Sequence, residues 1–195
     1  MTYGRAVSRK GLGVPLVIGV VCLAILALPD QGRAALGYDR TAVAAGQWWR
    51  LVTAHVSHLS VAHGLMNVAA IGLLGWLFRD DFDGYTWAGG YLVSALAIGL
   101  GLFWFWPDVG WYVGLSGILH GLGIAGGLVW LLGGERLAGG LLLAALALKL
   151  AYEAIGGPLP GTAAAAGGPV LVESHWLGAL GGLAAGAAAG LRRRL

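Results

Sequence analysis

The chain has 195 residues, 58% hydrophobic and only 11% charged, with a mean hydropathy of +0.78. A charged fraction this far below the usual quarter or so excludes an ordinary soluble domain and points to one compact membrane domain, residues 1–195. The net charge of +3 and pI near 9.3 do not call for nucleic acid, because the basic residues cluster at the ends of apolar runs and act there as topology signals.

Six apolar runs approach the length that a helix needs to cross a bilayer: Gly11–Leu28, Leu59–Phe78, Tyr85–Trp106, Ser116–Leu132, Leu137–Ile155 and His175–Leu191. The expected fold class is therefore an all-α membrane protein with six transmembrane helices. Arg5, Arg9, Lys10, Arg79, Arg136, Arg192, Arg193 and Arg194 fall on one side of this arrangement, against Arg33, Arg40 and Arg50 on the other. Cytoplasmic flanks collect Lys and Arg, so both termini are expected in the cytoplasm.

The basic start followed by an apolar run has the outline of a signal peptide, but Pro29-Asp30 follows without a small-x-small site, so the first run is read as a retained span. Cys22, the only cysteine, falls in its middle and is expected to be a buried, inert thiol. The external loop 29–58 carries Trp48, Trp49 and Arg50, which suit the headgroup layer either as an interfacial anchor or as a substrate contact. Residues 156–168, built of Gly, Pro and Ala, are expected to be irregular and to cap whatever lies beneath them.

Polar side chains at membrane depth are costly, and here they share a depth. With the amino terminus inside, the second, fourth and sixth spans run from outside to inside, so His63, Ser116 and His175 all fall near their outer ends. Ser116 sits between Gly114 and Gly117, which leave its hydroxyl reachable. The simplest chemistry is a nucleophile, with His175 as its base. Gly178, Gly182, Gly186 and Gly190 recur every four residues behind His175 and make a smooth stripe that brings the sixth helix close to the fourth. His63 and Asn67, also four apart, project from one face and carry hydrogen-bond donors suited to an oxyanion; alternatively they glue helices together.

The segment Ser57-His58-Leu59-Ser60-Val61-Ala62-His63-Gly64-Leu65-Met66-Asn67, the motif Gly114-Leu115-Ser116-Gly117 and His175 with its glycine stripe together resemble the rhomboid family of intramembrane serine proteases. Trp49-Arg50 matches that family's tryptophan-arginine element in the first external loop. Within the family, Gly114–Gly121 in a six-span chain is most similar to the rhombosortase subgroup. The resemblance implies a Ser–His dyad without a carboxylate: Ser116 attacks, His175 shuttles the proton, and His63, Asn67 and the Ser116 backbone N–H hold the oxyanion. It implies that His120 stacks on His175 where many relatives carry tyrosine, although His120 could itself be the base. It implies substrates with a carboxy-terminal Gly-rich motif, a transmembrane anchor and a basic tail, cleaved by hydrolysis or by acyl transfer. The expected location is a bacterial inner membrane, with the active site near the periplasmic face and with no metal or cofactor.

Glu173, two residues from His175 at a helix start, is poorly placed as a third catalytic member and is expected to be solvated. Lys149 and Glu153, four apart in the fifth span, are expected to form a structural ion pair, with a gating or tail-recognition role left open. His58 has either a structural or a substrate-facing place. Two rival readings remain. Histidines 55, 58, 63, 120 and 175 could gather as metal or haem ligands, or the chain could be an inactive rhomboid-like protein that binds helices without cutting them.

Overall fold

The computed structural model describes residues 11–193, so Arg5, Arg9, Lys10 and Arg194 of the charge count lie outside the described residues. Helix α1 (Gly13–Leu26) opens the bundle with Pro15 in its first turn, where a missing N–H costs nothing. The external loop then folds into three short helices, α2 (Asp30–Leu36), α3 (Arg40–Ala44) and α4 (Arg50–Thr53), and a 3-10 turn, Ala54–Val56. Five longer helices follow: α5 (Val61–Leu77), α6 (Gly84–Phe105), α7 (Ser116–Gly133), α8 (Arg136–Gly156) and, after the short α9 (Thr162–Ala166), α10 (Val172–Arg192).

Local chemistry sets several of these boundaries. Ser60 and Asp83 cap α5 and α6 by accepting from the backbone N–H groups of His63 (3.1 Å) and Thr86 (2.7 Å). Helix α7 ends on Gly134, whose φ of 112° is a left-handed stop suited to glycine. A two-residue antiparallel ladder, β1 (Tyr38–Asp39) with β2 (Trp111–Tyr112), pairs Tyr38 with Tyr112 and ties the external loop to the segment just before Ser116.

Helix α7 is the axis of the bundle, packed against α5, α6, α8 and α10. Its buried Ile118 and Leu122 join Ile98 and Leu102 of α6 and Leu115 in the core. The glycine stripe of α10 meets α7 along its length: a Cβ on Gly178 would strike the Gly117 carbonyl, one on Gly182 the Gly121 carbonyl, and one on Gly186 the Ala125 backbone. Backbones therefore touch where side chains would normally keep helices 8–10 Å apart or so. Helix α8 instead turns Leu137, Leu141, Leu148 and Ile155 outward. Large exposed apolar residues of this kind on α1, α5, α6 and α8 suit a lipid surround.

Among the described residues, α6, α7 and α8 are long and apolar enough to cross a membrane, and the segment of α4 with its 3-10 turn forms a fourth such unit with α5, bent by 94°. Helix α1, at 14 residues, is apolar but short. Helix α10 is long, but its glycines and alanines supply packing in place of hydropathy. Cys22 is fully buried, as expected. The stretch 156–168 is less irregular than its composition suggests, because Thr162–Ala166 closes a helical turn. That turn is pinned by Ser60 Oγ donating to the Ala166 carbonyl (2.8 Å).

Candidate active site

Ser116 is the first residue of α7, so its backbone N–H has no acceptor within the helix. Gly114 precedes it with φ 130°, a left-handed conformation that L side chains resist, and a Cβ there would lie 2.9 Å from His63 Cε1. The turn is thus shaped by glycine twice over, once for its path and once for the imidazole beside it. Tyr112 fixes the same turn, its hydroxyl donating to the Gly114 carbonyl at 2.7 Å.

Helix α10 begins at Val172, so His175 lies within its first turn and faces α7. The Gly117–Gly178 contact holds the two helix starts together, and His175 Nε2 comes to 3.0 Å from Ser116 Oγ. His120, one turn into α7, stacks on His175 with centroids 4.2 Å apart and planes 22° apart. Its Nδ1 lies 2.7 Å from the Ser116 carbonyl oxygen, so its hydrogen bond goes to the backbone while that of His175 goes to the hydroxyl.

The other nitrogen of His175 meets a residue that sequence spacing did not connect to it. Nδ1 lies 2.9 Å from Glu153 Oε2, and the second carboxylate oxygen, Oε1, lies 2.6 Å from Lys149 Nζ. The expected Lys149–Glu153 pair is present, with an added histidine contact. Glu173 occupies the first turn of α10 and is not the carboxylate at His175. A carboxylate and an ammonium inside an apolar helix are a signal that could have marked Glu153 from sequence, since intramembrane charges are rarely idle.

Asn67 and His63 of α5 face Ser116 across a cavity of about 320 Å³. His120, Lys149, Glu153 and His175 line the same cavity. Asn67 is 5% exposed, and its Nδ2 has no hydrogen-bond partner; His63 Nδ1 is likewise unpartnered. Unused buried donors are uncommon and call for an explanation. His58 is buried edge-on against His63, with ring centroids 5.0 Å apart, and does not line the cavity. Trp49 is half exposed and also lies outside it. Arg50 is a staple of the external loop, donating to Gln47 Oε1 (2.7 Å) and to the carbonyls of Gly37 (2.6 Å) and Ala34 (3.0 Å). Thr162 and Ala166 of α9 and residues 169–171 also line the cavity.

The scan against family models matches residues 45–193 to the Rhomboid domain. The chain belongs to the rhomboid family. Rhomboids are intramembrane serine proteases that act on transmembrane substrates within the bilayer, and the matched region contains every residue of the cavity described above. No curated protein sequence matches the chain.

Of the five histidines in the metal reading of this rhomboid, His63, His120 and His175 line the cavity and His58 packs on His63. His55 lies apart, against Tyr91 and Tyr112, with Nε2 at 3.1 Å from the Leu51 carbonyl oxygen. His120, Glu153 and His175 do place ligand-type atoms within 4.8 Å of one another. Metal ligation uses lone pairs in the imidazole plane, and two nearly parallel stacked rings do not aim them at one point. Both nitrogens of His175 are engaged, and the Lys149 cation holds the free oxygen of Glu153. The donor set suits proton transfer better than coordination.

Proposed function

We propose that this rhomboid is a serine endopeptidase of the rhombosortase type, cutting proteins held in the membrane by a carboxy-terminal helix that follows a Gly-rich motif. The observation that carries the reading is the 3.0 Å contact between Ser116 Oγ and His175 Nε2, opening on a cavity lined by unpartnered donors. In this mechanism Ser116 Oγ attacks the scissile carbonyl carbon as its proton passes to His175 Nε2. The developing oxyanion is met by Asn67 Nδ2, the His63 imidazole and the Ser116 backbone N–H. Collapse breaks the C–N bond, the leaving amine takes the proton from His175, and water then hydrolyses the acyl-enzyme by the same exchange. Gly114 and Gly117 shape the nucleophile turn, Gly178 and Gly182 set the α7–α10 approach, and His120 buttresses the imidazole.

The same proposal carries six spanning helices, α1, α5, α6, α7, α8 and α10, with both termini in the cytoplasm of a bacterium and the cavity near the periplasmic face of its inner membrane. The positive-inside bias supports the orientation. The Gly-rich preference has a physical basis: a substrate helix must unwind to present its peptide bond, and each glycine weakens helix by about 1 kcal/mol.

The test is cleavage, in proteoliposomes, of a reporter with an external domain, a Gly-Gly motif, a membrane helix and an Arg tail. Wild type is expected to release the domain and Ser116→Ala to leave it anchored. Replacing Gly-Gly by Leu-Leu is expected to slow release by at least about tenfold, about 1.4 kcal/mol, in line with the helix penalty of two glycines. Equal release of the two reporters would refute the substrate class while leaving the protease reading intact.

A further inference from the structure

The sequence resemblance implies a dyad, yet a carboxylate lies against the second ring nitrogen of His175. We propose that Glu153, itself held by Lys149, is the positioning residue of His175, so that this chain works through Ser116, His175 and Glu153 in series. The proposal rests on the serine-protease reading of the same site.

Three helices supply the relay: Ser116 from α7, His175 from α10 and Glu153 from α8. The Ser116–His175 distance is 3.0 Å and the His175–Glu153 distance 2.9 Å, on opposite nitrogens of one ring. An ionised carboxylate only accepts, so the Nδ1 facing Glu153 carries hydrogen. The neutral ring then keeps its lone pair on Nε2, facing the Ser116 hydroxyl. Among the described residues His120 does not compete to set this tautomer, because its face is stacked on His175 and its Nδ1 is turned to the Ser116 carbonyl.

Burial makes the arrangement specific. The Glu153 side chain is 2% exposed, and a lone carboxylate at that depth is costly. Lys149, one turn earlier on α8 and 28% exposed, satisfies Oε1 and balances the charge; Oε2 is left to a histidine on another helix. Helix α8 packs chiefly on α7 and only lightly on α10, so the Glu153–His175 bond is a principal link between those two elements. When Ser116 gives its proton to Nε2, the imidazolium lies between an anion and the stacked His120, with His63 across the cavity. Glu153 keeps Nδ1–H throughout and takes no proton. Lys149 holds the other carboxylate oxygen and fixes the Glu153 rotamer.

Glu153→Gln tests this without changing side-chain size. The amide can turn its NH₂ towards Nδ1, which selects the tautomer protonated at Nε2 and leaves Ser116 without an acceptor. The equivalent change in a soluble Ser-His-Asp enzyme lowers kcat by about 10⁴-fold. The expected result is a fall in kcat of at least about 10²-fold with KM unchanged, a smaller fall for Lys149→Met, and loss of fluorophosphonate labelling in folded Glu153→Gln. Nitrogen-15 NMR of histidine-labelled protein reads the tautomer directly, without turnover: His175 is expected to carry Nδ1–H in wild type and Nε2–H in Glu153→Gln. Folded Glu153→Gln with wild-type kcat, or a wild-type spectrum showing Nε2–H, would overturn the positioning role. Active wild type with active Glu153→Gln refutes only the relay, whereas wild type that neither labels nor cleaves refutes the protease reading on which it rests.

Discussion

Gly178→Ala adds one methyl group at the contact that holds Ser116 and His175 together. The new Cβ would strike the Gly117 carbonyl, lying 2.6 Å from its carbon and 3.2 Å from the Gly117 Cα. Ordinary contact begins at 3.4 Å, so α10 must move from α7 by about 0.8 Å to clear the carbonyl carbon alone. His175 lies one turn away on the same helix, and the same movement stretches its 3.0 Å bond to Ser116 to about 3.8 Å, beyond hydrogen-bonding distance. Misplacement of reacting groups by about 1 Å costs on the order of 10²-fold in rate, and overpacking costs roughly 1–3 kcal/mol in stability. The assay is the rate of fluorophosphonate labelling in detergent, alongside a thermal melt of each variant. Gly182→Ala, one turn further from the site, has a comparable clash with the Gly121 carbonyl, whose carbon would lie 2.6 Å from the new Cβ. It is expected to lose similar stability but less activity. Gly89→Ala, where nothing lies within 4 Å of the new Cβ, is the neutral control. Wild-type labelling by Gly178→Ala would refute the claim that backbone contact sets the Ser116–His175 distance.

Other outcomes follow from the same geometry. Asn67→Ala is expected to slow single-turnover cleavage by about 10²–10³-fold with substrate binding unchanged, and full single-turnover activity would remove Asn67 from the oxyanion site. His120→Phe keeps a ring over His175 but loses the bond to the Ser116 carbonyl. It should retain more activity than His175→Ala, and the reverse order would make His120 the base. A chelator is expected to leave labelling unchanged, whereas stoichiometric metal in purified protein, with labelling lost on its removal, would restore the metal reading. The Thr86 hydroxyl holds the Asp83 carboxylate at the start of α6 below its ordinary pKa. Its stabilising contribution is therefore present above the unfolded value of about 3.9 and is lost as pH falls through the lower folded value. Asp83→Ala should lower thermal stability at pH 7 by about 1 kcal/mol, with the difference from wild type shrinking in acid. A constant difference across that range would contradict the capping role.

Much of this arrangement was legible because it is written in local spacing. Glycine every four residues behind His175 announced the α7–α10 contact, and the four-residue step from His63 to Asn67 put both on one face of α5. The His175–Glu153 bond was not legible, because spacing reports neighbours on one helix and says little about which helices meet. Lys149 and Glu153 therefore read only as a pair with each other. The short helices α2, α3, α4 and α9 escaped for another reason, since four to seven residues are too few to establish a period. Arg50 shows the same limit: its three bonds to the external loop depend on a fold that places Ala34, Gly37 and Gln47 around it.

The central claim is that Ser116 is a nucleophile activated by His175. Fluorophosphonate labelling of purified wild type, Ser116→Ala and His175→Ala, each verified as folded, tests it most directly. The account predicts labelling of wild type and loss of the label in both variants; a label retained by folded Ser116→Ala would contradict it.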